Sequence, residues 1–362
     1  MEPPGEAEKA NIRQNLLLGQ IASTSPSDFP AYFALYKSIF CSSNHSTAIQ
    51  VDEPVFTSHA DVLQCVERLR QNPSLTRQQL ADTLSPNGSA SQKEKDVALE
   101  SMVRVVFMLD CSQTYARSFR VGYYSPTAWN SNDPFFAYVQ RALPMHTGSF
   151  DVHRHKKALK AWKLKKRHNL QFRPTDIIAE HLLYDPSTRT VQVFHHTAYL
   201  QAHYSRCASQ PITQQAPDSL KGGTLPPQLL LETLHSIHYI LFPMSNDPRG
   251  RSRALLSSLM RKQNFDPDVE WVESYTRADV PSDFAYQYWN DRLEILYRIV
   301  KDRPPRNRFV SWIERHTSER NALTVAILGL FLSALFGFLA CLIGIAQLVV
   351  SILAWKRPKE PA

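Results

Sequence analysis

The residues best suited to chemistry are histidines grouped near the middle of the chain. His181 follows Glu180 directly, while His195, His196 and His203 come just after a predicted strand. Imidazole and carboxylate groups together can bind zinc or transfer protons. Established zinc motifs place their ligands at short, fixed spacings on defined elements. These histidines are not spaced in that way. Local packing and hydrogen bonding is the preferred interpretation, and a catalytic or zinc site using His181, His195 and His196 is the alternative.

The sequence offers little else from which a reaction can be read. Its 362 residues have an ordinary globular composition, with 43% hydrophobic residues, 20% charged residues and 11 glycines. It contains no Gly-rich phosphate-binding loop, no Gly-x-Ser-x-Gly, no His-Glu-x-x-His and no EF-hand loop. We therefore predict no bound cofactor or metal, and we favour a protein that is not an enzyme.

One short basic segment accounts for the whole formal net charge. The chain has 41 Lys and Arg against 33 Asp and Glu, a net charge of +8. The run from His153 to His168 has no acidic residue, and a helix over 153–168 would show a narrow apolar edge at Leu159 and Trp162. Its basic residues are Arg154, Lys156, Lys157, Lys160, Lys163, Lys165, Lys166 and Arg167.

Three interpretations of this basic helix compete. A solvated helix face is the simplest one. Contact with an anionic membrane surface is the functional interpretation we prefer, because each cation near such a surface adds on the order of 1 kcal/mol of attraction. Nucleic-acid binding is the least favoured of the three.

An apolar segment near the end of the chain predicts a membrane anchor. Ala322–Trp355 contains no charge. As one helix it would be about 51 Å long, against roughly 30 Å of bilayer hydrocarbon, so we favour a single tilted transmembrane helix over a short hairpin. Small residues recur on one stripe of this helix and suit self-association: Gly329, Ser333, Gly337, Gly344 and Ser351.

The flanks of the apolar segment predict its orientation. Five arginines in 303–320 precede it and three basic residues follow Trp355, so the positive-inside rule favours a cytosolic N-terminal body. Seven residues follow Trp355 in this sequence, which indicates post-translational insertion as a tail-anchored protein. The N-terminus does not resemble a signal peptide. Five widely spaced cysteines without a Cys-x-x-Cys pair also favour a reduced, cytosolic body.

The pattern of apolar residues predicts a mainly α fold with a small β element, followed by the transmembrane helix. Thr190–Phe194 is the clearest strand, and 174–183 is predicted as a helix capped by Thr175. The predicted divisions are a flexible lead (1–27), a helical subdomain (28–150), a second subdomain containing the basic helix (151–302), a juxtamembrane segment (303–321), the transmembrane segment (322–355) and a basic tail (356–362).

Several segments resemble an uncharacterised family of filamentous-fungal proteins. They include Val193-Phe-His-His-Thr-Ala-Tyr-Leu, Tyr286-Gln-Tyr-Trp-Asn-Asp-Arg-Leu and the run from Trp312 to Arg320. The resemblance covers roughly residues 55–357. It implies a helical cytosolic body tethered near its C-terminus, in some cases the product of a gene cluster, and it brings no catalytic residues.

The sequence as a whole predicts a membrane-anchored, non-enzymatic adaptor or accessory protein. Its expected partners are membrane lipid, an unidentified protein and a second copy of the transmembrane helix. A membrane-tethered enzyme using the histidines is the first alternative, and a nucleic-acid binder using the basic helix is the second.

Overall fold

The computed structural model describes residues 1–18, 28–41, 55–84, 90–112, 124, 126–146, 148–244, 247–270, 284–302 and 322–355. The chain divides into two compact units, Met1–Asp302 and Arg303–Ala362. The first unit is mainly helical with a small three-stranded sheet, and the second contains a long apolar helix. This architecture confirms the predicted fold class.

Amphipathic helices build the N-terminal part of the first unit. Two of them begin at capping boxes, in which Ser58 and Ser91 exchange hydrogen bonds with Asp61 and Glu94. The helices are α1 (Glu6–Ile12, continued as a π-helix over Arg13–Leu18), α2 (Pro30–Phe40), α3 (His59–Gln71), α4 (Arg77–Leu84), α5 (Gln92–Val106) and α6 (Phe135–Ala142).

The prediction of a flexible lead over 1–27 is wrong for residues 1–18. Ile12, Leu16 and Leu17 are buried in the core. The Leu16 carbonyl also accepts a hydrogen bond of 3.0 Å from Arg206. The apolar run Leu16–Leu18 therefore contributes to the folded body.

The remaining helices of the first unit follow residue 150 and pack against the earlier ones. The Tyr199 hydroxyl, for example, donates to the Val106 carbonyl at 2.9 Å, so contacts join the two predicted subdomains. These helices are α7 (Val152–His155), α8 (Ala161–His168), a 3-10 helix (Ile178–Glu180), α9 (Thr197–Arg206), α10 (Ala216–Lys221), α11 (Pro227–His235, continued as a π-helix over Ser236–Leu241), α12 (Arg251–Gln263) and α13 (Asn290–Asp302).

The sheet has the order β1-β3-β2. β1 (Gln171–Thr175) runs parallel to β3 (Thr190–Phe194), and β2 (Tyr184–Asp185) pairs with β3 on its other side. The predicted strand is thus confirmed, while the predicted helix over 174–183 is wrong. Pro174 fits β1 because that strand lies at the sheet edge, where a missing N–H is tolerated.

The predicted continuous basic helix over 153–168 is also wrong, because a turn at 156–160 separates α7 from α8. Leu159 and Leu164 are both 0% exposed. On one continuous helix, side chains five positions apart would point about 140° away from each other. The turn lets both leucines reach the core while Lys156, Lys157, Lys165 and Lys166 stay exposed.

The second unit contains α14 (Ala322–Trp355), a continuous helix of 34 residues. Within it, Gly329–Leu353 is long and apolar enough to cross a membrane, with a mean hydropathy of 2.4. The helix has no turn at Gly337, where a hairpin would bend. The predicted segments 303–321 and 356–362 lie outside the described residues.

Candidate functional site

The ends of the two parallel strands bring three polar side chains together. Asp176 follows the end of β1, while His195 and His196 lie between β3 and α9. Since Thr175 pairs with Phe194 across the sheet, the residues after each strand emerge at the same edge. His195 Nε2 is 3.0 Å and His196 Nε2 is 2.8 Å from Asp176 Oδ1.

The backbone N–H of Asp266 fixes the proton position on His195. The backbone N–H of Asp266 donates to His195 Nδ1 at 3.1 Å, so neutral His195 carries its proton on Nε2 and donates it to Asp176. The Asp266 carboxylate in turn accepts from the backbone N–H of Ala198 at 3.2 Å, at the start of α9. Burial raises the pKa of Asp266.

Burial and hydrogen bonding set the protonation of this cluster. Burial alone raises the pKa of Asp176, but hydrogen bonds from His195 and His196 outweigh it and hold that pKa well below its usual range. Burial and the neighbouring His195 lower the pKa of His196 to about 4. Near pH 7, Asp176 is therefore a carboxylate that accepts from the neutral imidazole of His196.

The residue types of this cluster are those of a zinc site, but the hydrogen bond at His195 Nδ1 is not compatible with a metal on its Nε2. Ligand atoms of Asp176, His195 and His196 lie within 4.8 Å of one another. A metal on His195 Nε2 would move the ring proton to Nδ1, where it would face the Asp266 N–H donor. The geometry favours a carboxylate that holds two neutral imidazoles in place.

His181 belongs to a separate hydrogen-bonded group inside the core. It is 0% exposed, its Nε2 lies 2.7 Å from Ser236 Oγ, and its Nδ1 accepts from the Phe194 N–H at 3.2 Å. Burial lowers its pKa well below the ordinary value. The structure therefore does not place His181 with the other two predicted histidines as one proton-transfer site, and each is held by partners that suit a structural role.

Two charged groups fix the segment after residue 284, and the sequence does not predict the partners of either one. The buried Glu232 carboxylate accepts from the backbone N–H groups of 287–289, just before α13. Arg292 Nη1 donates to the carbonyls of Ala179 and His181, at 2.7 and 2.5 Å. A lone Glu within the apolar run of α11 was the available signal for the first of these groups.

The basic segment presents two kinds of cation. Arg154, Lys156, Lys157, Lys165 and Lys166 are exposed, whereas Lys160, Lys163 and Arg167 are half-buried. Lys163 and Arg167 lie over the Trp162 ring, with Lys163 Nζ 5.7 Å and Arg167 Cζ 5.8 Å from its centroid, and Arg251 Cζ lies 4.5 Å from it. Burial and these neighbouring cations lower the pKa of Lys163 to about 8.

The predicted packing stripe lies on α14. Ser333 and Ser351 are exposed, and within the described part of the chain nothing lies within 4 Å of a Cβ built on Gly329, Gly337 or Gly344. The stripe is thus accessible, and self-association through it stays a prediction.

Comparison of the chain with protein-family models, with curated proteins and with solved structures finds no match. The resemblance to the fungal family stays a prediction.

Proposed function

We propose that this protein is a membrane-anchored accessory protein without catalytic activity, whose helical body engages a protein partner beside the membrane. The observation that carries the proposal is the apolar helix Gly329–Leu353, none of whose apolar window is buried inside the protein. Its described side chains are exposed, as with Leu330 at 77% and Phe331 at 67%. An apolar surface of this length requires a membrane or a large apolar partner.

The histidine geometry supports the non-enzymatic part of the proposal. A general acid or base works best with a pKa near the operating pH. The pKa of His196 is lowered to about 4, and that of His181 is also well below the usual value. Their hydrogen bonds to Asp176 and to Ser236 and Phe194 hold them in place within the core.

The anchor and its orientation are tested together by protease protection of the full chain in native membranes, with an epitope tag at each end. We expect resistance to alkaline extraction, an accessible N-terminal tag and a protected C-terminal tag. Extraction by alkali would overturn the anchor. Digestion of both tags in alkali-resistant protein would overturn the single-span orientation.

The exposed cations support contact between the body and anionic lipid. We expect amide hydrogen exchange in 153–168 to slow when the full chain is moved from phosphatidylcholine nanodiscs to nanodiscs that contain phosphatidylserine. Replacing the five exposed cations of the segment by Gln should remove this difference, because each contributes on the order of 1 kcal/mol near an anionic surface.

A matched variant controls for net charge. Lys37, Lys93, Lys221, Lys262 and Lys301 are also exposed and lie on other elements. Their replacement by Gln removes the same number of charges and should leave the lipid-dependent protection of 153–168 intact. An equal loss in both variants would show that total charge, and not this segment, produces the contact.

A further inference from the structure

Two half-buried arginine side chains meet over one buried glycine. Arg70 lies near the end of α3, and Arg206 is the last residue of α9. A Cβ atom built on Gly223 would lie 2.3 Å from Arg70 Nε and 2.9 Å from Arg206 Nη2. Gly223 also has a φ of 71°, in the left-handed region that favours glycine. The turn after α10 therefore leaves room for both guanidinium groups at one point.

The two positive charges lack the carboxylate partners that buried arginines usually have. Within the described residues, no carboxylate oxygen lies within 4.0 Å of either guanidinium group. Arg206 donates to two backbone carbonyls, and Glu67, one turn before Arg70, is exposed and accepts from Gln71. Burial and the nearby Arg70 lower the pKa of Arg206 to about 10.

Further buried polar atoms near the two guanidinium groups have no hydrogen-bond partner among the described residues, and a neutral His203 offers one N–H donor among them. Among the described residues, Arg70 Nε and Nη2, the Tyr32 hydroxyl and both ring nitrogens of His203 are buried without a hydrogen-bond partner. Tyr32 is 2% and His203 is 0% exposed. Tyr199 lies between them: its ring stacks on Tyr32 at 6.3 Å and contacts His203 at 4.0 Å. Since at least about nine-tenths of buried polar groups are paired in native structures, this cluster indicates a missing acceptor.

We propose that Arg70, Arg206, Tyr32 and His203 bind a phosphate group. A phosphate dianion matches two guanidinium charges, and its four oxygens can accept from donors that approach on different sides, including the planar fork of an arginine. Gly222 is exposed and both arginines are half-buried, so the site opens to the surface beside this turn. The proposal does not depend on the membrane anchor or on the basic segment.

The phosphate group can come from a soluble compound or from a lipid headgroup. Both carry the same tetrahedral oxyanion, so the site chemistry is shared. Competition distinguishes the sources: nanodiscs that contain phosphatidic acid should weaken binding of inorganic phosphate if the headgroup enters the site, and should leave it unchanged if the natural ligand is soluble. Either result retains the phosphate site.

The test uses the full chain in phosphatidylcholine nanodiscs. We expect inorganic phosphate, compared with chloride at equal ionic strength, to raise Tm in a saturable way and to give a measurable Kd by calorimetry. Arg70→Gln should weaken phosphate binding about 10- to 100-fold, and Tyr32→Phe should weaken it about 5- to 10-fold, as expected for hydrogen bonds to a charged group.

A matched tyrosine and a conservative arginine variant keep the test decisive. Tyr36 lies one turn after Tyr32, and its hydroxyl is 2.9 Å from His59 Nδ1. Tyr36→Phe should leave the phosphate Kd within about twofold. Should Arg70→Gln fail to fold, Arg70→Lys keeps the charge and should still weaken binding about 10-fold, because it loses the fork.

Three results would overturn the proposal. The first is a Tm that responds equally to phosphate and chloride, which would assign the buried donors to ordinary water. The second is a Tyr32→Phe variant with the wild-type phosphate Kd. The third is an equal loss of affinity in Tyr32→Phe and Tyr36→Phe.

Discussion

Arg77 and Arg70 come from neighbouring helices of the same body, and their guanidinium groups have opposite surroundings. Arg77 is 1% exposed, and its Nε and Nη2 lie 2.9 Å from Asp96 and 3.0 Å from Glu100. Its Nη1 donates to the carbonyls of Cys111 and Trp129. Arg70 Nε and Nη2, in contrast, have no partner in the part of the chain that the structure describes.

This contrast separates an arginine that stabilises the fold from one that is available to a ligand. The network around Arg77 joins α4 to α5 and satisfies the guanidinium group internally. The pair Arg70 and Arg206 combines burial with mutual repulsion, which is unfavourable unless an anion balances it. The same body pairs Arg77 with two carboxylates, whereas among the described residues neither Arg70 nor Arg206 has a carboxylate within 4.0 Å.

The largest expected effect comes from removing the paired arginine. Arg77→Ala leaves Asp96 and Glu100 beside each other without their cation, so we expect the free energy of unfolding to fall by about 3–5 kcal/mol. Urea denaturation of the full chain in detergent micelles, followed by circular dichroism, measures this change. Arg70→Ala in phosphate-free buffer should cost less than about 1 kcal/mol, because it also relieves the repulsion from Arg206. Equal losses in the two variants would remove the contrast.

Lowering the pH should destabilise the folded protein through the buried histidine His196. His196 is neutral in the folded state because its pKa is lowered to about 4, whereas in the unfolded chain it protonates near its ordinary value of 6.5. The unfolded state therefore binds more protons between these values, and the free energy of unfolding falls as pH decreases from about 6.5 to about 4, by up to about 3 kcal/mol.

Urea midpoints at pH 4.5 to 7.5 test this effect. Other buried histidines also lower the free energy of unfolding as the pH falls. The difference between the profiles of wild type and His196→Gln therefore gives the contribution of His196 alone. His196→Gln should flatten the profile. A wild-type slope in His196→Gln would contradict the assigned neutral imidazole.

The smallest expected effects come from two tyrosines that touch each other. Tyr32→Phe removes a buried hydroxyl without a partner among the described residues, so it should raise the free energy of unfolding by about 1 kcal/mol in phosphate-free buffer. Tyr199→Phe removes a hydrogen bond of 2.9 Å to Val106, so it should lower that free energy by about 1 kcal/mol. The same urea titration measures both changes in the free energy of unfolding. Changes of the same sign would argue that the Tyr32 hydroxyl is not an unsatisfied buried group.

Much of the helical body follows from local sequence. Ser58 and Ser91 begin helices whose apolar residues recur at helical spacing, and the alternation of Thr190–Phe194 predicts its strand. The helix predicted over 174–183 fails because Pro174 and Thr175 pair with a buried strand, which is a tertiary effect. The basic helix fails for a similar reason, since Leu159 and Leu164 must both reach the core.

The candidate sites are less accessible to sequence reasoning. His195 and His196 could be selected by type, but their partner Asp176 could not be assigned while its segment was interpreted as a helix. The sequence also groups His181 with them, although its partners lie elsewhere in the core. Arg70 and Arg206 are far apart in sequence, and they meet because of the backbone conformation at Gly223.

Gly223 also has an evolutionary consequence. A β-carbon at this position would lie 2.3 Å from Arg70 Nε and 2.9 Å from Arg206 Nη2, so we expect the glycine and both arginines to be inherited together. In diverging descendants of this chain, we expect all three to persist wherever the anion is still bound. Once the ligand is dispensable, selection should first neutralise one arginine, and the side chain at 223 becomes free to vary only after that step.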